Sequence, residues 1–259
     1  MFVIWVEVKS VPGGETDEIL PGGRVKSALA SRVPPKKCSI VSCQLFNSLD
    51  FYSEIPNNTF GSSEYMRIID LTKLHEALHL LNEQLELRGA DAVSLVVCGG
   101  SALIAVGLVS RTTRDVDVVA MVQDGILKYA EPLPPHVTEA AGRVAEILNL
   151  PSDWLNNGPA SQFLLGMPEG LATRLHPAVI GHKLTVYYID RLDQIYFKTF
   201  ASADRGGYHL SDLKALEPTD DELWQAARWC MGQDVSEGFR YILKEMLNHM
   251  GRRDVSDRI

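Results

Sequence analysis

Two aspartates separated by a single valine are the residues in this sequence with the clearest chemical potential. Asp115 and Asp117 lie in the run RDVDVVA, residues 114–120. On a strand, side chains two positions apart leave the same face, so these two carboxylates are predicted to lie side by side. Neighbouring carboxylates repel each other, and both stay ionised only when a cation compensates them. Asp115 and Asp117 are therefore expected to bind a hard divalent ion that prefers oxygen ligands, above all Mg²⁺.

Two glycines and a serine stand upstream of this pair, between an apolar run and a helix-like segment. They are Gly99, Gly100 and Ser101. Glycine lets a phosphate approach the backbone closely, N–H groups at a helix start bind anions, and the serine hydroxyl adds a donor. Paired glycines alone usually mark only a tight turn, and a D-x-D at a strand edge is often a solvated pair. Together, in the order strand, G-G-S, short helix and D-x-D strand, they predict a site for a nucleoside triphosphate and its Mg²⁺.

Hydrophobic spacing predicts the strands and helices that must hold these motifs. The predicted strands are 93–98, 116–122 and 183–189. The predicted helices are 70–87, 101–109, 137–148, 192–203, 211–216, 219–231 and 236–250. Asp70 and Thr219 are the expected N-caps of two of them. The segment 126–129 is too short to assign, and residues 252–258 are expected to form a solvated tail.

This order of elements predicts an α+β fold, in which a small mixed β-sheet is flanked by helices and followed by a helical subdomain. We expect a loop-rich N-terminal extension at residues 1–66, with short strands near 2–8 and 39–46. The core should span 67–191. The helical subdomain, 192–259, should lie across a cleft from the sheet and bring Lys198 to face the aspartates.

Composition excludes some functions and favours others. The formal net charge of −8 argues against binding of nucleic acid driven by phosphate contacts alone, although a local basic groove stays open. No apolar run approaches the length of about 20 residues that a membrane-spanning helix needs. Four cysteines in 259 residues, with no targeting segment recognised, suggest a cytoplasmic protein. Cys38 and Cys43 resemble half of a zinc site, but no second pair follows.

The motif from Gly100 to Asp117 resembles the signature of the DNA polymerase beta-like, or minimal, nucleotidyltransferase superfamily. The closer resemblance is to AbiEii-like toxin nucleotidyltransferases, which show G-G-x-A-L, then R-x-T/S-x-D-x-D, then a Lys-x-x-Ala helix, an Arg and an Asp-Leu element. The matching residues of the first two motifs are Gly99, Gly100, Ala102, Leu103, Arg111, Thr113, Asp115 and Asp117. Those of the later elements are Lys198, Ala201, Arg205, Asp212 and Leu213. The resemblance covers about residues 70–216.

This resemblance implies Mg²⁺-dependent transfer of a nucleoside monophosphate from a nucleoside triphosphate to an RNA, protein or small-molecule acceptor. It also implies a possible antitoxin partner. The implied catalytic residues are Asp115, Asp117, Lys198 and Asp212, and the first two are also the metal ligands. The implied nucleotide-binding residues are Gly99, Gly100, Ser101 and Arg111.

The chain departs from the superfamily pattern at one position. A later core strand often carries a third carboxylate, and the predicted strand 183–189 has none. Asp190 or Asp212 could serve instead, or the site could hold a single metal ion. A non-catalytic module that binds a nucleotide or a partner is the alternative function.

Overall fold

The computed structural model describes residues 68–259, and the predicted N-terminal extension with its strands and cysteines lies outside the described residues. In the described part, strands and helices are interspersed up to residue 188 and helices alone follow. The strands are β1 (Val93–Cys98), β2 (Val116–Gln123), β3 (Ile126–Tyr129), β4 (Leu155–Asn156), β5 (His176–Val179) and β6 (Leu184–Tyr188). The helices are α1 (Leu71–Leu87), α2 (Gly99–Ala105), α3 (Pro135–Leu148), α4 (Ser161–Leu165), α5 (Arg191–Arg205), α6 (Tyr208–Ala215), α7 (Asp220–Gln233), α8 (Glu237–His249) and α9 (Arg253–Asp257). None of these helices is long and apolar enough to cross a lipid bilayer.

The six strands form one mixed sheet, which contains the three predicted strands together with β3, β4 and β5. Their order is β3-β2-β1-β6-β5, and the short β4 pairs with the start of β2. β1 runs antiparallel to β2 and parallel to β6. The carboxyl ends of β1 and β6 therefore meet the amino end of β2 at one end of the sheet. The glycine turn, the aspartate pair and the start of α5 all lie at that end.

Helices cover both faces of the sheet. Val116 and Val118 of β2 are fully buried in the core that α1 and α3 form on one face. Val119 packs on the other face with Ile189 and with Phe197 of α5. Because side chains alternate along a strand, Asp117 shares the face that α5 covers.

The later helices form a second apolar core that reaches back to the glycine turn. Leu103 of α2 is fully buried in it, together with Ile195 of α5 and Leu213 of α6. α2 therefore links the sheet to the helical segment. The predicted cap of α7 is confirmed, because Thr219 and Glu222 form a reciprocal capping box. The domain boundaries at residues 66 and 191 stay predictions.

Several elements differ from those predicted. The segment 126–129 is strand β3, since Asp124 and Gly125 both have positive φ and close a tight hairpin with β2. α2 ends at Ala105 rather than at residue 109, because the chain turns at Gly107 with φ +73°. The prediction of a solvated C-terminal tail is wrong. Residues 253–257 form α9, and Val255 is 1% exposed because it packs into the helical core.

We expect Leu103→Ala to lower the free energy of unfolding by about 3 kcal/mol, because it leaves a cavity where α2 meets the helical core. Alanine favours a helix, so the loss reports packing and not helix propensity. Leu87→Ala is the matched control, since Leu87 is 80% exposed and its removal should change stability by less than about 0.5 kcal/mol. Urea denaturation of both variants measures the difference. Equal effects would contradict a structural role for Leu103.

Candidate functional site

The aspartate pair lies where β2 begins. Asp115 is the last residue before the strand and Asp117 is the second residue in it. Thr113 Oγ1 donates a hydrogen bond to Asp115 Oδ1 at 3.3 Å. The charge of Asp115 raises the pKa of Asp117, so the two carboxylates are close enough to repel each other. The structure thus brings the two predicted metal ligands together.

Asp117 is only poorly compensated in this position. Its pKa rises to about 6, first because of burial and then because of the charge of Asp115. The amide of Asn156, which pairs with Asp117 across β2 and β4, opposes this rise. Lys198 and Arg205 also oppose it, but they act on Asp117 through charge alone. The site therefore has a negative potential that a bound cation would lower.

The glycine turn is packed directly against this pair. Gly99 has φ +73°, and a Cβ atom there would lie 2.5 Å from Asp117 Oδ2. A Cβ atom on Gly100 would lie 2.8 Å from both Arg111 Nη2 and Thr113 Oγ1. Two glycines are thus required for the turn, the carboxylate and the guanidinium to approach one another.

Two buried polar side chains form hydrogen bonds to the backbone at the glycine turn. Ser101 is fully buried, and its hydroxyl lies 3.5 Å from the carbonyl oxygen of Cys98. Gln194 of α5 is also fully buried, and its Nε2 donates to the carbonyl oxygen of Gly99 at 3.4 Å. The Ser101 hydroxyl is therefore directed to the end of β1. A phosphate at this turn would therefore be bound by the backbone N–H groups and not by the Ser101 hydroxyl.

Asp212 joins the two predicted cations, the partly exposed Arg111 and the buried Lys198, in one cluster. Its Oδ1 accepts from Arg111 Nε at 2.7 Å, and its Oδ2 accepts from Arg111 Nη2 at 2.6 Å. The same Oδ2 accepts from Lys198 Nζ at 2.7 Å. Burial alone would raise the pKa of Asp212, but these hydrogen bonds outweigh it and the pKa is lowered. Arg111, Lys198 and Asp212, from three separate segments, thus form one ion cluster with a net charge of +1.

Asp190, the other candidate for a third carboxylate, has a structural role in this arrangement. It caps α5 by accepting from the N–H of Leu192 at 2.9 Å, and it lies 2.9 Å from His176 Nε2. Within residues 68–259, no group of three acidic, histidine or cysteine side chains is placed to hold a metal ion. A metal ion at Asp115 and Asp117 would therefore complete its coordination with oxygens of water or substrate.

Sequence reasoning missed Asn156 and Gln194 and gave Arg205 no role at the site. Gln194, Lys198 and Arg205 recur at spacings of four and seven residues, so they share one face of α5. That spacing is visible in the sequence and could have added Gln194 and Arg205 to the predicted Lys198. Asn156 had no such signal, because it reaches Asp117 only through the pairing of β4 with β2.

The mixed sheet, the glycine turn and the paired aspartates are together the features of a nucleotidyltransferase domain. A family model described as "Nucleotidyltransferase of unknown function (DUF6036)" matches residues 71–220, more than half of the chain, and the protein belongs to this family. The match spans the aspartate pair, the glycine turn and the Arg111–Asp212–Lys198 cluster. No curated protein and no solved structure matches the chain.

We expect Asp117→Asn to raise the free energy of unfolding of the metal-free protein at pH 7. The folded protein binds the Asp117 proton more tightly than the unfolded chain does, so its stability falls as the pH rises from about 4 to about 6. A rise from 3.8 to about 6 corresponds to about 3 kcal/mol at most. Urea denaturation in EDTA between pH 4 and pH 8 measures it.

Variant and wild type should approach each other towards pH 4, where Asp117 is protonated in the folded state and partly protonated in the unfolded state, whose pKa is 3.8. Asp91→Asn, at an exposed position, is the control for loss of one negative charge. A lower stability of Asp117→Asn at pH 7 would contradict the raised pKa.

Proposed function

We propose that this protein is a Mg²⁺-dependent nucleotidyltransferase that transfers a nucleoside monophosphate from a nucleoside triphosphate to an acceptor hydroxyl. One observation carries the proposal. The poorly compensated pair Asp115 and Asp117 lies against the Gly99–Gly100 turn, with Lys198 and Arg111 on the neighbouring elements. A metal-bound triphosphate needs carboxylates on one side and cationic or N–H donors on the other, and this site provides both.

The residues present fit a magnesium ion. Asp115 and Asp117 supply hard carboxylate oxygens, and the pKa of Asp117 is raised first by burial and then by the charge of Asp115, so a bound cation would favour its ionised form. When bound, Mg²⁺ would neutralise phosphate charge and help to orient the triphosphate for in-line displacement. The chain contributes the fixed spacing of the two carboxylates, because β2 is held between β1 and β4 at this point.

The reaction consists of one substitution at phosphorus. The acceptor oxygen forms a bond to the α-phosphorus, the bond between that phosphorus and the oxygen bridging to the β-phosphate breaks, and pyrophosphate leaves. The hydroxyl proton is released to solvent. The backbone N–H groups of the glycine turn would hold phosphate oxygens, and Arg111 and Lys198 would stabilise the charge that develops on pyrophosphate.

Asp212 acts in this scheme by positioning the two cations. Both of its oxygens already accept hydrogen bonds from Arg111 or Lys198, so it is oriented towards them and not towards the aspartate pair. A cation fixed by a carboxylate needs less reorganisation when the pyrophosphate charge appears. The proposed site thus uses two carboxylates for the metal and a third for the cations.

The AbiEii-like assignment and the toxin role stay predictions. The ion cluster supports the assignment, because it joins Arg111 of the first motif to Lys198 and Asp212 of the later elements. The acceptor also stays open among an RNA end, a protein hydroxyl and a small molecule. The net charge of −8 favours an acceptor recognised at a local site over long duplex nucleic acid.

We expect the double variant Asp115→Asn, Asp117→Asn to lose Mg²⁺-dependent transfer completely, because the carboxylates that would bind the metal and its triphosphate are removed. Purified protein, each α-labelled nucleoside triphosphate and a cell extract as acceptor source give the assay. Removal of the label by RNase or by protease then identifies the acceptor class. Asp220→Asn, Asp221→Asn removes the same number of charges from α7 and should keep full activity.

Each outcome of this experiment has a distinct meaning. Transfer by the Asp115, Asp117 double variant would show that the proposal is wrong. Nucleotide binding by the wild type without transfer to any acceptor would favour the non-catalytic binding module.

We expect Gly99→Ala to abolish transfer while Gly107→Ala preserves it. Both glycines have φ +73°, so alanine costs each a similar backbone strain of about 1 kcal/mol. Only the Cβ at position 99 meets the Asp117 carboxylate, while a Cβ at position 107 meets nothing within 4 Å. Transfer rates and urea denaturation of both variants separate strain from loss of the site. Equal loss of activity in both would attribute the effect to strain.

A further inference from the structure

Tyr208 is an exposed aromatic residue at the border of the site, and the mechanism above does not use it. It is the first residue of α6 and is 61% exposed. Gly206 and Gly207, which precede it, both have positive φ and turn the chain sharply between α5 and α6. This turn places the Tyr208 ring over the proposed phosphate-binding cations instead of in the helical core.

The ring contacts the cation cluster directly. Its centroid lies 5.4 Å from Arg111 Cζ and 5.8 Å from Lys198 Nζ, within the range of cation–π attraction. Burial and then the charges of Asp115 and Asp117 raise the pKa of the Tyr208 hydroxyl, so the carboxylate pair acts on this hydroxyl through charge. Tyr208 thus contacts the proposed phosphate ligands and lies within electrostatic range of the proposed metal ligands.

The His209 ring packs against the Tyr208 ring. The two ring centroids lie 4.1 Å apart at an interplanar angle of 38°. Burial and the nearby charges of Lys198 and Arg205 lower the pKa of His209 to about 4, so the imidazole is neutral near pH 7. A neutral neighbour adds no charge to compete for phosphate. Tyr208 is therefore fixed by its neighbours while most of its surface stays open.

We propose that Tyr208 is the platform on which the nucleobase of the bound nucleoside triphosphate stacks. This inference rests on the proposed function. In a bound nucleoside triphosphate only the sugar separates the base from the phosphate chain, so an aromatic residue that contacts phosphate ligands and is exposed beside them can reach the base. Tyr208 meets that condition. Stacking on an aromatic face tolerates every base, so the platform adds affinity for nucleotides and little discrimination among them.

The competing interpretation is that Tyr208 only shields the ion cluster from water. The two interpretations predict different effects of replacing Tyr208 on the binding of a ligand that has no base. Inorganic tripolyphosphate carries the phosphates of the substrate but has no base. A shielding residue affects both ligands, whereas a stacking residue affects the nucleotide alone.

Isothermal titration calorimetry with the Mg²⁺ complexes of α,β-methylene-ATP and of tripolyphosphate tests the inference. We expect Tyr208→Ala to weaken the nucleotide analogue about ten-fold or more and to leave tripolyphosphate within about two-fold of the wild type. Tyr208→Phe and Tyr208→Trp keep a ring and should retain binding of the analogue. Tyr241→Ala, at a 65% exposed position of α8, is the control for loss of a surface tyrosine.

The outcomes also separate this inference from the proposed function. Equal weakening of both ligands in Tyr208→Ala, or of neither, would overturn the stacking role while the proposed function stands. Failure of the wild type to bind either ligand would overturn the proposed function and the stacking role with it. Urea denaturation shows whether each variant is folded. If Tyr208→Ala is unfolded, weakened binding of the nucleotide analogue by folded Tyr208→Phe and Tyr208→Trp would overturn the stacking role.

Discussion

Repulsion between Asp115 and Asp117 is the physical constraint on which the rest of the site depends. The backbone holds the two side chains together, because β1 and β4 flank β2 on either side of Asp117. Partial burial strengthens the repulsion, as the raised pKa of Asp117 shows. Lys198, a buried cation that acts on Asp117 through charge, is hydrogen-bonded to Asp212 instead. Within the described residues the pair is therefore left for a ligand to compensate, and this state of the free protein sacrifices stability in favour of binding.

The cluster of Arg111, Asp212 and Lys198 balances buried positive charge, whereas the aspartate pair concentrates negative charge. Lys198 is 3% exposed, and a buried ammonium without a partner would be strongly destabilising. Asp212 compensates it and also fixes Arg111 through two hydrogen bonds. The cluster keeps one net positive charge next to the aspartate pair. It also ties the loop before β2 to α5 and α6, so the elements around the site hold one another in place.

Local patterns in the sequence determined much of this fold and the centre of the site. Alternation placed Asp115 and Asp117 on one face, and the buried valines on either side of Asp117 confirm which face of β2 lies in the core. Capping residues predicted the starts of α1 and α7, since Asp70 and Thr219 act within a few residues of themselves. The glycine pair predicted a tight turn between a strand and a helix. Each of these features depends on residues close in sequence, and such interactions are readable from spacing alone.

Tertiary structure decided the features that depend on residues far apart in the chain. Asn156 reaches Asp117 only through the pairing of β4 with β2, and Asp212 reaches Arg111 across 101 positions. Val255 is buried only because α9 folds back onto the helical core, although the sequence around it is strongly charged. The exposed position of Tyr208 likewise follows from where the turn before α6 places it. These contacts arise from packing and strand register, which spacing along the chain does not encode. The charges that surround the aspartates therefore became known only from the tertiary structure.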